Sequence, residues 1–203
     1  MNAAESNEFF EESFRPRKVM VILRGMGVTT TLSFANRAWD AGLPLVEVPI
    51  QSKEDAATLG GVVAAGALRD QVVGAGTVIS RDLVDAAAAL GATFTVAPGL
   101  DLAVAGRSLE LGLPHLAGVA SASEVQRAVA AGFEWLKAFP AASLGTGWIE
   151  AMAGPFPAVK FVATGGIDEG NAHRFLDAGA GAVSLGKSFG RMLPDDLSAI
   201  GAL

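Results

Sequence analysis

Lys137 lies inside an apolar segment of the sequence, Trp135-Leu136-Lys137-Ala138-Phe139. If this segment is a β-strand, its two-residue period places the lysine on the same face as Phe133, Trp135 and Phe139. Burial lowers the pKa of a lysine, and a neutral amine can attack a ketone whereas an ammonium group cannot. The alternative is a lysine whose aliphatic stem covers apolar surface while its charged end reaches water.

Two more charged residues lie late in apolar segments. Glu47 has a valine on each side, and Arg24 ends the segment Val21-Ile22-Leu23-Arg24. Burial raises the pKa of a glutamate toward the range that suits general acid–base chemistry, and a guanidinium suits bidentate binding of a carboxylate. The alternatives are structural: an ion pair of Glu47 with Arg24 or Lys137, or a salt bridge from Arg24.

Small residues follow three of the apolar segments, in Gly74-Ala75-Gly76-Thr77, Thr164-Gly165-Gly166-Ile167 and Leu185-Gly186-Lys187-Ser188. The backbone N–H groups of glycine-rich turns can hold an anion, and the hydroxyl of Ser188 is a further donor. The second and third segments together predict a phosphate site. Lys187 either adds charge to this site or faces solvent.

Candidate helices and strands alternate along the chain. Glycines at intervals of 20–25 residues are predicted to end helices, namely Gly42, Gly66, Gly91, Gly112, Gly132, Gly154 and Gly179. The apolar runs predicted as strands are 19–24, 44–50, 71–76, 92–97, 114–119, 133–139, 159–165 and 180–186. Amphipathic stretches such as 28–41 and 121–131 lie between them, although the region after Ser188 is short for an eighth helix.

Eight strand–helix units predict an α/β protein with a single-domain (β/α)8 TIM barrel, and an open doubly wound sheet is the alternative. Residues 1–18 are predicted as a helix closing the barrel bottom or as a tail, and 19–203 as the barrel. In such a barrel functional residues lie at the carboxyl ends of the strands. Arg24, Glu47 and Lys137 are therefore expected at one face, together with the glycine-rich turns.

Composition excludes several classes of protein. The chain has 203 residues, a net charge of −6, no cysteine, and two histidines, His115 and His173. The acidic balance argues against nucleic-acid binding, and the missing thiols and few histidines argue against a metal site. With no signal-peptide pattern and no 18-residue apolar run, we expect a cytoplasmic protein without membrane contact, metal or cofactor.

Six short motifs occur in a fixed order: VEVPI, GAGT, APG, LKAFP, TGGI and LGKS. Together they resemble the 2-keto-3-deoxy-6-phosphogluconate/4-hydroxy-2-oxoglutarate aldolase family over about residues 19–189. The resemblance implies a class I (Schiff-base) aldolase that cleaves a 2-keto-3-deoxy-6-phospho sugar acid to pyruvate and glyceraldehyde 3-phosphate. It also implies a homotrimer that takes part in carbohydrate metabolism.

The resemblance implies a role for each matching residue. Lys137 corresponds to the Schiff-base lysine and Glu47 to the general acid/base. The remaining positions correspond to the keto-acid carboxylate and pyruvate site, with Thr77, Pro98 and Gly99, and to the phosphate site, with Gly165, Gly166, Gly186 and Ser188.

Gln51 departs from this pattern, because the phosphogluconate branch has an arginine four residues after the glutamate. The Ile-Leu-Arg-Gly segment and the amide at position 51 are more similar to the 2-keto-3-deoxy-6-phosphogalactonate aldolase branch. We therefore expect Arg24 to replace the missing arginine in binding the carboxylate, and we assign Gln51 to the same carboxylate and pyruvate site.

Other functions remain open at this stage. A 4-hydroxy-2-oxoglutarate aldolase would use the same residues. A phosphate-binding barrel of another reaction class, such as an epimerase or a decarboxylase, usually needs a metal or an Asp/Lys array at the strand ends. A non-catalytic barrel would have no need of Lys137 and Glu47.

Overall fold

The computed structural model describes residues 1–43, 45–192 and 196, and its eight parallel strands form a closed barrel. The strands are β1 (Val19–Ile22), β2 (Leu45–Pro49), β3 (Val72–Gly76), β4 (Phe94–Val96), β5 (His115–Val119), β6 (Trp135–Ala138), β7 (Lys160–Thr164) and β8 (Ala182–Leu185). They pair in chain order, and β8 pairs with β1 to close the ring. The predicted TIM barrel is confirmed, and the open doubly wound sheet is wrong because no strand of the ring is left as an edge.

One helix precedes β1, and the others follow the strands around the outside. They are α1 (Ala3–Phe14), α2 (Gly27–Asp40), α3 (Lys53–Ala67), α4 (Arg81–Ala89), α5 (Leu102–Glu110), α6 (Ala122–Ala130), α7 (Ala141–Leu144), α8 (Thr146–Ala153) and α9 (Ala172–Asp177). The predicted helices 28–41 and 121–131 match α2 and α6 to within one residue at each end. A short 3-10 helix, Phe189–Arg191, follows β8, and the rest of the predicted eighth helical region lies largely outside the described residues.

Most of the predicted helix-ending glycines have the left-handed backbone that this role needs: Gly42, Gly91, Gly112, Gly132 and Gly179 all have positive φ angles. The prediction is wrong for Gly66, which lies inside α3, where an added Cβ would be 3.0 Å from the backbone oxygen of Gln71. Gly154 does end its helix, as the C-cap residue of α8, but with a right-handed φ of −63° in place of a left-handed backbone.

An inner core fills the lower half of the barrel, which is the half at the amino ends of the strands. Alternate strand residues point inward, and those nearest the amino ends are apolar and mostly large: Met20, Leu45, Phe94, Leu116, Trp135, Val162 and Ala182. Helix α1 closes this end with Phe10 and Phe14, whose rings contact Phe94 and Trp135 respectively. Among the described residues, the amino-terminal half of the barrel interior is therefore filled, and the cavity that reaches the barrel interior lies at the carboxyl ends of the strands.

Helix α1 is also fixed to the barrel by polar contacts. Asn7 donates to the carbonyl oxygen of Gly132 at 2.9 Å and accepts from the backbone N–H of Glu134 at 3.0 Å. Ser6 accepts from the backbone N–H of His115 at 3.0 Å. No helix among the described residues is both long and apolar enough to cross a membrane.

Candidate active site

Lys137 and Glu47 face each other inside the barrel, one layer above the inner core. Each lies two residues beyond an inward-facing core residue of its own strand, Trp135 on β6 and Leu45 on β2, so the strand period directs both side chains inward. Their side chains are 5% and 0% exposed, and Nζ lies 3.9 Å from Oε2. The structure thus brings together the two residues predicted for catalysis, from opposite parts of the sequence.

Burial changes the ionisation of this pair. It lowers the pKa of the Lys137 amine, an effect that the charge of Arg24 reinforces and that of Glu47 opposes. It raises the pKa of the Glu47 carboxyl, and the charges of Lys137 and Arg24 only partly offset this rise. Both shifts favour the uncharged forms, which suits the amine to act as a nucleophile and the carboxyl group to give and take a proton.

Glu47 fits into the barrel because its neighbour on β3 has no side chain. A Cβ added at Gly76 would lie 1.9 Å from Oε1 of Glu47. Neither carboxylate oxygen has a hydrogen-bond partner in the described part of the chain. Buried polar groups in proteins are normally paired, so this carboxyl group is placed to interact with a molecule that enters the barrel.

Arg24 lies in the loop after β1, which ends at Ile22, two residues earlier than the sequence predicts. Its Nη1 donates to Oε1 of Gln51, and its Nη2 donates to Oγ1 of Thr77 at 3.0 Å. Thr77 has a left-handed backbone with φ of 59°, which is unusual for a residue with a branched side chain. The three residues predicted for carboxylate binding are therefore neighbours, although they come from three loops.

A cleft of about 530 Å³ opens beside Lys137. Its lining includes the residues predicted for phosphate, Gly165, Gly166, Gly186 and Ser188, and also Arg24, Phe139 and Lys187. The hydroxyl of Ser188 donates to the carbonyl oxygen of Ile167 at 3.0 Å, so this hydroxyl holds two loops of the cleft together. Arg24, Lys137 and the glycine-rich turns after β7 and β8 thus line the same cleft.

Pro98 and Gly99 lie outside the lining of this cleft. They follow β4 and cover Gly118 of β5, where an added Cβ would be 2.2 Å from the carbonyl carbon of Pro98. The carbonyl oxygen of Gly99 accepts from the N–H of Gly118 at 3.2 Å. Their place in a pyruvate pocket stays a prediction.

Several residues of the cleft had no role assigned from the sequence, among them Thr164, Ser184 and Phe139. Thr164 and Ser184 occupy paired inward positions on β7 and β8, with 3.1 Å between their hydroxyl oxygens. Phe139 places its ring centroid 5.5 Å from Nζ of Lys137. The strand period could have placed Ser184, since it alternates with Ala182, but hydroxyl residues in strands are too common to suggest a site by themselves.

Comparison with known proteins identifies the family to which this chain is similar. Residues 10–203 match the family model described as "Aldolase: KDPG and KHG aldolase". The 2-dehydro-3-deoxy-6-phosphogalactonate aldolase of Escherichia coli (strain K12) is 31% identical to this chain over 175 residues, which is 85% of this chain and 84% of that protein.

Solved structures show the same fold. The 2-keto-3-deoxy-6-phosphogluconate aldolase of Zymomonas mobilis, solved with 3-phosphoglycerate, has a TM-score of 0.82 and 26% identity, over 96% of this chain and 94% of that chain. The KDPG aldolase of Legionella pneumophila, with pyruvate captured as a covalent carbinolamine intermediate, has a TM-score of 0.80 and 26% identity, over 94% of this chain and 93% of that chain.

The contact between Gly76 and Glu47 predicts the effect of a single methyl group. Gly76→Ala should lower the free energy of unfolding by about 1–3 kcal/mol, because the added Cβ overlaps a buried carboxyl group. Urea unfolding followed by circular dichroism measures this change. The control is Gly106→Ala on α5, where an added Cβ meets no atom within 4 Å. Equal stability of the two variants would contradict the close contact.

Proposed function

Since this chain belongs to the KDPG and KHG aldolase family, we propose that it is a class I aldolase that cleaves a 2-keto-3-deoxy-6-phospho sugar acid to pyruvate and glyceraldehyde 3-phosphate. The observation that supports this most strongly is the buried Lys137 amine with Glu47 3.9 Å away. A buried amine with a lowered pKa is suited to attack a ketone, and the reaction also needs a group that moves protons.

Lys137 starts the reaction by adding to the C2 ketone of the substrate. The addition forms a carbinolamine, and the protonated Glu47 carboxyl gives its proton to the departing hydroxyl group. Loss of water then leaves a protonated imine, which can accept an electron pair from C3, and Glu47 as a carboxylate. The Legionella relative, with its captured carbinolamine of pyruvate, supports this first step. The centroid of the Phe139 ring lies 5.5 Å from Nζ, and burial lowers the pKa of the amine before the substrate arrives.

Glu47 moves the protons of the cleavage step. As a carboxylate it takes the proton of the C4 hydroxyl, directly or through a water molecule. The C3–C4 bond then breaks, C4 leaves as an aldehyde, and the electron pair of the bond becomes an enamine conjugated with the lysine nitrogen. The proton returns to C3, and hydrolysis of the imine releases pyruvate and regenerates the amine.

The two ends of the substrate are held at two places around Lys137. The carboxylate at C1 binds Arg24, which Gln51 and Thr77 contact, with Pro98 and Gly99 completing the pyruvate pocket. The phosphate binds at the turns after β7 and β8, among Gly165, Gly166, Gly186 and Ser188. The Zymomonas relative, solved with a phosphorylated three-carbon acid, supports a site for the phosphorylated fragment.

The stereochemistry at C4 is proposed to be that of the galactonate series. Arg24 and Gln51 lie in contact, as the arginine-plus-amide pattern of the galactonate branch suggests. The E. coli galactonate aldolase, which aligns over 85% of this chain, supports the same assignment. A second candidate is a 4-hydroxy-2-oxoglutarate aldolase, which the family name includes.

We also propose that the chain forms homotrimers in the cytoplasm. Ile79 and Leu102, which follow β3 and begin α5, are 62% and 46% exposed and would be covered in an assembly. Sedimentation velocity measures the oligomeric state directly. The proposed location follows from the substrate, because a phosphorylated acid does not cross membranes unaided.

The role of Lys137 predicts a covalent adduct. Incubation with pyruvate and borohydride should add a reduced pyruvate group to the peptide containing Lys137, and mass spectrometry after digestion locates it. Lys137→Ala should lose both the adduct and turnover. Lys160, which is exposed at the amino end of β7, is the internal control and should stay unmodified. An unmodified Lys137 in the native protein would rule out the Schiff-base mechanism.

The role of Glu47 predicts a defect in rate rather than in binding. Glu47→Gln keeps the shape of the side chain but removes the proton-transfer group, so kcat should fall roughly 10²–10⁴-fold while KM changes little. Steady-state cleavage kinetics, coupled to reduction of the released pyruvate, measure both constants. Unchanged kcat would show that another group moves the protons.

The substrate assignment predicts an order of activities. The 6-phosphogalactonate derivative should have a higher kcat/KM than the 6-phosphogluconate derivative, and 4-hydroxy-2-oxoglutarate should be slowest because it has no phosphate. Parallel coupled assays with the three substrates measure this order. A preference for the gluconate derivative would leave the aldolase mechanism in place and overturn only the stereochemical assignment.

A further inference from the structure

Two neutral side chains hold the guanidinium of Arg24. Gln51 accepts a hydrogen bond through its amide oxygen, and Thr77 accepts one through its hydroxyl. None of the ion pairs between described residues includes Arg24. The side chain is therefore fixed at two points while its positive charge stays uncompensated at the cleft.

This charge acts on the catalytic pair. The guanidinium lowers the pKa of Lys137 and opposes the rise in the pKa of Glu47. A fixed cation at this position favours both a neutral amine and an anionic ligand. An acidic side chain in direct contact with Arg24 would weaken both effects, because opposite charges in a hydrogen-bonded pair compensate each other.

Other charged residues lie near Arg24 and Gln51, but none of those described below forms an ion pair with Arg24. Glu54 of α3 lies beside Gly27, three residues after Arg24. Asp55 accepts from the backbone N–H of Gln51 at 3.1 Å and from the hydroxyl of Ser52, the residue that caps α3. Three further charged residues, Asp168, Lys187 and Arg191, line the cleft with Lys137.

We propose that Gln51 is a positioning residue that fixes Arg24 without neutralising it, so that the full charge of the guanidinium meets the carboxylate of a 2-oxo acid. The proposal rests on the proposed function, in which Arg24 binds that carboxylate. The amide supplies the acceptor oxygen that a carboxylate would supply, but not the negative charge. Through Arg24, Gln51 thereby affects both the affinity for the substrate and the pH range in which the Lys137 amine reacts.

Two substitutions separate the hydrogen bond from the charge. Gln51→Glu keeps an acceptor at nearly the same place and adds a negative charge, whereas Gln51→Met keeps the length of the side chain and removes the acceptor. The matched control is Gln126→Glu on α6, which makes the same chemical change at an exposed position outside the cleft. Thermal melting checks that each variant is folded.

The measurement is borohydride trapping of pyruvate on Lys137, as a function of pyruvate concentration and of pH. Gln51→Glu should raise the half-saturating concentration of pyruvate roughly 10–100-fold, since the charge-assisted contact with Arg24 is lost to the ligand. Trapping falls as the pH is lowered and Lys137 becomes protonated, and we call this part of the pH profile the acid limb. Gln51→Glu should also move the acid limb to higher pH, because a nearby negative charge stabilises the ammonium form of Lys137. Gln51→Met should raise the half-saturating concentration and leave the acid limb in place, and Gln126→Glu should change neither.

Distinct results would overturn this proposal. If Gln51→Glu and Gln51→Met gave the same acid limb, or if Gln51→Glu matched the native protein, Gln51 would not work through the charge of Arg24. Absence of any adduct in the native protein would instead overturn the proposed function, and this proposal with it. The trapping of pyruvate by the native protein therefore distinguishes the two failures.

Discussion

The burial of an amine opposite a carboxyl group is the constraint on which the rest of the structure depends. Lys137 and Glu47 are almost fully enclosed, and neither would be stable there as an isolated charge. Desolvation lowers the pKa of the amine and raises that of the carboxyl. The same burial that makes these residues unfavourable for folding makes them suitable for nucleophilic and acid–base chemistry.

The barrel accommodates this pair by dividing its interior into two layers. The lower layer contains bulky apolar residues, and α1 closes it with Phe10 and Phe14. In the upper layer glycines occupy inward positions, and Gly76 and Gly118 leave space that Glu47 and Pro98 fill. The solid lower layer stabilises the barrel, so the upper layer can hold polar groups without hydrogen-bond partners of their own.

Much of this arrangement could be predicted from the sequence. The alternation of apolar runs predicted eight strands, and the charged residues late in those runs predicted the face on which Arg24, Glu47 and Lys137 meet. The glycine rule was wrong for Gly66, because a glycine also serves close packing within a helix. Gly154 ends α8 as predicted, but in a right-handed conformation. The cleft hydroxyl groups of Thr164 and Ser184 were missed, since their role depends on neighbours from another strand.

The sequence by itself determined the repeat of strands and helices, the identity of the reactive side chains and the segment in which each lies. These follow from local alternation and residue type. Only the tertiary structure decided the distances. The 3.9 Å between Nζ and Oε2, and the contact of Arg24 with Gln51 and Thr77, join segments tens of residues apart. They exist because closing the ring brings the carboxyl ends of β1, β2, β3 and β6 around one space. The repeat of strands and helices predicts a barrel, but it does not fix the distances between side chains on different strands.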